Sequence, residues 1–247
     1  MKQQRYGLSE VRIYPDRDSL LEATVEFVAN TLSATLETGS DAYIALSGGS
    51  TPRPVYERMA TLKGIDFGRV HVCFVDERNV PPGDEDSNFK MLEQAWFEAG
   101  VVPASNILRI RGELDAEIAA EEYEEDLRDL HMPLADGFPI FDLVLLGMGP
   151  DGHCASLFPG SPALAEKQRW VAPNWVEKMQ THRITLTYPV LNHARKAVFL
   201  VADANKAQPL ADVLSGRGEL PAARVQPVHG ELIWLVDKAA AALLRQS

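Results

Sequence analysis

Short, nearly unbroken apolar runs separated by helix-length amphipathic segments constrain this chain more than any other feature. Ala42 to Leu46, Val70 to Val75, Phe141 to Leu146, Ala197 to Val201 and Glu231 to Val236 read as strands. Ile107 to Ile110 and Arg183 to Thr187 read as further short strands. Between them apolar residues recur at helical spacing. After Ser19 the series is Leu21, Val25, Val28, Leu32 and Leu36, with Ser19 and Glu22 spaced as a capping box and Gly39 as a stop. Pro52 suits the first turn of a second helix. Ser87 to Ala99, Asp115 to Leu130, Asn205 to Ser215 and Asp237 to Arg245 complete the predicted helices. Strands apolar on both faces, alternating with helices, predict an α/β fold. The expected form is a Rossmann-like, mostly parallel sheet with helices on both faces, as one domain over residues 1–247. Gly160 to Gln180 is irregular and is read as a candidate small extra lobe or flap.

In open parallel sheets, ligands bind beyond the carboxyl ends of the strands. Three segments therefore carry the interest. The first, Ser47-Gly48-Gly49-Ser50-Thr51, joins a strand to a helix. Its glycines let backbone N–H groups approach an anion, and its hydroxyls add donors, which suits a phosphate. It lacks the Gly-Lys-Ser/Thr ending of a nucleotide loop, and a plain tight turn is the alternative. The second, Asp76-Glu77-Arg78, puts three charges at a strand end. Arg78 there is either part of an anion site or merely paired to a carboxylate.

The third segment, Gly147 to Gly152, fits a dinucleotide-binding glycine pattern, but no second strand ending in an acid follows at the required distance. The glycines instead shape a loop that presents Asp151 and His153. A carboxylate can orient an imidazole and make it an effective base near neutral pH. The alternative is a histidine that satisfies loop backbone. His71, His131, His182, His193 and His229 are read as structural or surface residues. Cys154 follows His153, but adjacent side chains usually point apart, so Cys73 and Cys154 are read as small buried side chains. Arg183 and Lys206 are ordinary surface cations or long arms that complete a phosphate site.

The formal charge is −11, from 24 Lys plus Arg against 35 Asp plus Glu. That argues against a general nucleic-acid binder, which needs basic surface. Nine acids and one base between Glu113 and Asp129 hold most of it, and that helix is read as a solvated face. The two cysteines make no disulfide framework and no metal-ligand spacing, which fits a reducing compartment. No run of about 18 apolar residues predicts a membrane span, and Met1 to Glu10 lacks a secretory apolar stretch. The expected location is the cytoplasm, and the expected state a monomer or weak homodimer.

Together these segments resemble the glucosamine-6-phosphate isomerase/6-phosphogluconolactonase family, from about Ala45 to Val213. The resemblance rests on five stretches in order. They are Leu46 to Pro52; Val75 to Arg78 with Val80-Pro81 and Ser87-Asn88; Gly147 to Pro159; Arg183 to Thr187; and Asn205-Lys206. It implies hydrolysis of 6-phospho-D-glucono-1,5-lactone to 6-phospho-D-gluconate in the pentose phosphate pathway, with no cofactor and no catalytic metal. It implies His153 as catalytic base, with Asp151 and Arg78 beside it. The implied substrate and phosphate contacts are Ser47, Gly48, Gly49, Ser50, Thr51, Asp76, Asn88, Gly152, Arg183 and Lys206. Cys154 and Phe74 stand where the family often has Thr and Trp. The deaminase branch normally carries Glu five residues after the histidine, where this chain has Phe158. It also has Tyr where this chain has Arg78. A non-catalytic sugar-phosphate sensor is a third reading, but it would need no His153 and would usually carry a DNA-binding module.

Overall fold

The computed structural model describes residues 1–7, 9–216 and 220–244. In chain order the elements begin with β1 (Lys2–Tyr6), β2 (Ser9–Tyr14), α1 (Arg17–Glu37), β3 (Ala42–Leu46), α2 (Arg53–Met59), β4 (Val70–Phe74) and β5 (Asp76–Arg78). Next come α3 (Asn88–Ala95), β6 (Ile107–Leu108), α4 (Ala116–Asp129), the small hairpin β7 (Leu134–Ala135) and β8 (Phe138–Pro139), and β9 (Leu143–Leu146). The last are β10 (Val171–Val176), β11 (Thr181–Leu186), α5 (Tyr188–His193), β12 (Lys196–Val201), α6 (Ala207–Leu214) and β13 (Glu231–Asp237).

Eight strands form the main sheet in the order β1-β2-β13-β12-β9-β3-β4-β6. Every neighbouring pair in it is parallel except β1 with β2. The central strands bury both faces, which is why they read as continuous apolar runs. Helix α1 lays Leu20, Leu21, Val25, Val28 and Leu32 into the core. Its cap is Asp16, whose Oδ1 accepts from the Ser19 N–H at 2.8 Å. The predicted Ser19 cap is thus corrected: Asp16 is in extended conformation, and Ser19 lies inside the first turn, its hydroxyl also donating to Asp16.

A second, antiparallel sheet has the order β10-β11-β5. The chain passes between the sheets at Val75. Its N–H donates to Leu46 O of the main sheet, and its carbonyl accepts from Leu186 N of the small one. Three expectations change here. Arg183 to Leu186 belongs to this antiparallel sheet, not to the parallel one. Asp76 to Arg78 is a strand rather than a strand end. The segment 160–180 holds β10 between short 3₁₀ turns. Helix α4 covers the small sheet. Its Tyr123 hydroxyl donates to Phe74 O and accepts from Phe74 N. Glu124 Oε2 accepts from the N–H groups of Trp170 and Val171, at 2.7 and 3.1 Å. The acidic helix is therefore more than a solvated face, since one acid fixes the start of β10.

One segment carries strands that the sequence did not suggest, and one further reading is corrected. The polar start of the chain forms β1 and β2, and β1, with its charged and amide side chains, takes the sheet edge. After Asp237 the chain turns instead of entering a helix. The Asp237 carboxylate accepts from the N–H groups of Ala240 and Asp203. Arg245, the predicted helix end, lies outside the described residues. Among the described residues no helix is long and apolar enough to cross a membrane.

Candidate active site

Where the parallel strands end against the small sheet, a cavity of about 270 Å³ opens. Ser47, Gly48, Gly49, Ser50, Thr51, Asp76, Arg78, Asn88, His153, Arg183 and Lys206 all line it. Asp151 and Gly152 do not line it: Asp151 holds His153 from outside the cavity, and Gly152, at a φ of 75°, faces Leu220. The sequence reading thus gathered one site from segments far apart in the chain.

The first wall comes from the carboxyl ends of β3, β9 and β12. The loop after β3 turns into α2, and its Ser47 carbonyl accepts from the Tyr56 hydroxyl at 2.7 Å. Ser47 Oγ is buried with no hydrogen-bond partner among the described residues. Gly48 is required by space, because a Cβ there would overlap the Asn88 carboxamide. Asn88 cannot simply swing aside, as its Nδ2 donates to the Asp76 carbonyl at 2.9 Å. After β9, Gly149 is required for the same reason, since its Cβ would overlap the His153 ring. His153 Nδ1 lies 2.5 Å from Asp151 Oδ1. An ionised carboxylate only accepts, so Nδ1 carries the hydrogen and Nε2 is the nitrogen able to take a proton. The imidazole is stacked on Phe158, with centroids 4.1 Å apart. Burial pushes the Asp151 carboxyl up, but hydrogen bonds from His153 and Lys178 outweigh it. The net position is well below the usual carboxylate range.

The second wall is the small sheet. Arg78 on β5 and Arg183 on β11 are register partners. Arg78 donates to the Asp86 carbonyl. Arg183 donates from Nη2 to Met179 Sδ at 3.1 Å. Its Nε and Nη1 are buried without a hydrogen-bond partner among the described residues. Burial, and then the neighbouring Arg78 charge, push the Arg183 guanidinium below its ordinary range. The carboxylate-paired alternative for Arg78 is not what the geometry gives. Two adjacent guanidiniums on a cavity wall, one of them with two buried unpartnered donors among the described residues, can accept an anion. Lys206, at the start of α6, is lowered by burial, against the opposing pull of Asp151 and Asp203.

Several contributors escaped the sequence reading. Glu77 is buried, and its carboxylate accepts from the N–H groups of Arg78, Asn88 and Phe89 and from the Ser87 hydroxyl. It ties β5 to the first turn of α3, so that Arg78 and Asn88 share one site. Burial raises its carboxyl despite those N–H donors. Its position within Asp76-Glu77-Arg78 was the available signal, but alternation on a strand was not assumed there. Ser156 donates to Asp76 Oδ2 at 2.6 Å. Arg17 donates to the Ser50 carbonyl and pairs with Asp203 at 3.2 Å, bracing the first loop against the turn that carries Lys206. Lys178 pairs with Asp151 Oδ2 from a segment read only as irregular. Cys73 and Cys154 are buried, and burial raises both thiols, in keeping with inert packing. Among the described residues no group of three or more His, Cys, Asp or Glu is arranged to hold a metal ion.

A family profile described as glucosamine-6-phosphate isomerases/6-phosphogluconolactonase matches residues 15–234. A 6-phosphogluconolactonase of Nostoc sp. is 38% identical over 238 residues, 95% of this chain and 98% of its own. That of Homo sapiens is 37% identical over 243 residues, 95% of this chain and 93% of its own. The crystal structure of the Thermotoga maritima 6-phosphogluconolactonase superposes with a TM-score of 0.82 at 31% identity, covering 93% of this chain and all of that one. With the fold, the cavity and these likenesses in agreement, the chain belongs to the glucosamine-6-phosphate isomerase/6-phosphogluconolactonase family.

Proposed function

We propose that this chain hydrolyses 6-phospho-D-glucono-1,5-lactone to 6-phospho-D-gluconate, a lactone-hydrolase step of the pentose phosphate pathway. One observation carries the reading. A carboxylate-oriented imidazole and a pair of half-buried arginines, neither in an ion pair among the described residues, face the same cavity. The first can activate water, and the second can hold a phosphorylated substrate in place.

In the proposed sequence, Arg183, Lys206 and the Ser47 to Thr51 loop hold the 6-phosphate. His153 Nε2 takes a proton from water, whose oxygen bonds to C1 of the lactone. The C1 carbonyl electrons move onto its oxygen, and Arg78 or loop N–H groups donate to that oxyanion. As the carbonyl re-forms, the bond from C1 to the ring oxygen breaks, and His153 returns the proton to that oxygen. The products are a carboxylic acid and a free hydroxyl. Asp151 fixes the tautomer throughout and stabilises the imidazolium.

Aldose–ketose isomerisation with deamination is the competing reading. Phe158 speaks against it, because a ring-opening relay needs an acid at that position and the aromatic ring instead stacks on His153. The test is to offer freshly made lactone and follow acid release above the spontaneous rate, with ammonia release from glucosamine 6-phosphate measured in parallel. Acid release without ammonia supports the hydrolase; ammonia release overturns it; neither activity favours a sensor.

A further inference from the structure

Beside the cavity stands one cation that the proposed sequence of steps leaves unused, Lys178, which touches Asp151 and Phe158 rather than the cavity itself. Lys178 sits in the 3₁₀ turn Glu177–Met179, at the tip of the β10–β11 hairpin. Its ammonium pairs with Asp151 Oδ2 while Asp151 Oδ1 holds His153 Nδ1. The same ammonium lies over the Phe158 ring, 4.8 Å from its centroid, and that ring also stacks on His153. Lys178, Asp151, His153 and Phe158 thus form a closed circuit of four side chains. The turn is itself held: the Gln180 amide donates to Glu177 O and Oε1, and Gln180 adopts a left-handed backbone with φ 50°.

We infer that Lys178 is a positioning residue for the His153 base, acting through Asp151 and Phe158; this rests on the proposed role of His153. A carboxylate beside an imidazole favours the protonated ring, and a protonated ring cannot take a proton from water. An ammonium on the second carboxylate oxygen offsets that preference. It also fixes the carboxylate plane, and with it the Nδ1 hydrogen bond that aims Nε2. Around this group the charged neighbours are Asp151 on its own loop, Lys178 on the hairpin tip and Lys206 at the start of α6. Across the cavity stand Asp76 and Arg78 on β5 and Arg183 on β11. Lys178 is the cation among them in direct contact with Asp151.

The deciding variant is Lys178→Met, which keeps length and apolar contact with Phe158 but removes the charge. Lys178 is half-exposed, so the fold should survive, and an unchanged melting temperature checks that. The expected result is a kcat reduced about 3- to 30-fold, as for a base less well aimed and more often protonated, with KM for the lactone within about twofold. The acidic limb of the kcat/KM profile should move to higher pH by about half a unit to one unit, the size expected from deleting one charge a few ångströms away. Lys178→Arg should restore both. An unchanged pH profile overturns the inference, and so does a loss confined to KM, which would put Lys178 on the phosphate. His153→Ala in the same assay separates the two failures. If it retains near-normal turnover, the base reading itself is wrong. If it is inactive while Lys178→Met is unaltered, only the present inference fails.

Discussion

The two walls of the cavity are built by opposite means. The parallel-sheet wall uses backbone and short side chains, placed where strands end and glycine turns begin. The antiparallel wall uses long cationic side chains, Arg78 and Arg183, projecting from paired strands. Lys178 comes from the hairpin tip beside them. One wall supplies an imidazole held by local loop geometry. The other supplies charge held by pairing between segments remote in sequence. On the proposed reading the base comes from the parallel side alone while anchoring draws on both sides, so His153 and Arg183 should fail separately.

The largest expected effect comes from His153→Ala on the parallel side. It should lower kcat about 10²- to 10⁴-fold and leave KM within about twofold. A large rise in KM with kcat kept would erase the division between the walls. On the antiparallel side, Arg183→Ala should do the reverse, raising KM for the lactone about 10- to 100-fold, as losing a charge-assisted contact does. Arg183→Lys should recover little, because an ammonium lacks the planar fork. A kcat loss without a KM change in either variant would place Arg183 in the chemistry instead.

Gly48→Ala tests the join between the walls. Its methyl must displace the Asn88 carboxamide and its hydrogen bond to Asp76. Denaturant unfolding should show a loss of about 1–3 kcal/mol, with substrate binding weakened. Unaltered stability would mean that α3 can move independently of the first loop. The smallest effect concerns acid. The Asp151 carboxyl is depressed in the folded chain. Its pairings therefore stabilise the fold above the ordinary carboxylate range near pH 4, and that contribution is lost as pH falls through the depressed value. Asp151→Asn should flatten the acid limb of the stability curve without changing it at neutral pH as steeply. An identical acid limb would show that the pairings do not contribute to folding.

The same contrast explains what the sequence made legible. The loops at Ser47 to Thr51 and Gly147 to His153 were readable because a strand, a glycine turn and a following polar residue are all local. Strands β3, β9 and β12 were readable because burial on both faces leaves an unbroken apolar run. Arg78 and Arg183 carried a signal as residues but not as a pair, since register between β5 and β11 is set by tertiary contacts. Lys178 had no local signal at all; a hairpin tip must fold before its side chain has an address. Glu77 was hidden by its charge, because a buried carboxylate satisfied by three backbone N–H groups looks in sequence like a solvated acid. The strand after Trp170 was hidden by its polar and proline-rich approach.

Val75 has one further consequence. Its N–H bonds to the large sheet and its carbonyl to the small one, so the two peptide units flanking one residue join the two sheets. Amide exchange offers a way to see it. Protection at Val75 and at Leu186 reports on the two sheets through bonds that meet at one residue. If the sheets open together, both amides exchange at one rate. If the small sheet lifts away first, Leu186 exchanges while Val75 stays protected, and the cationic wall proves to be a separately breathing unit.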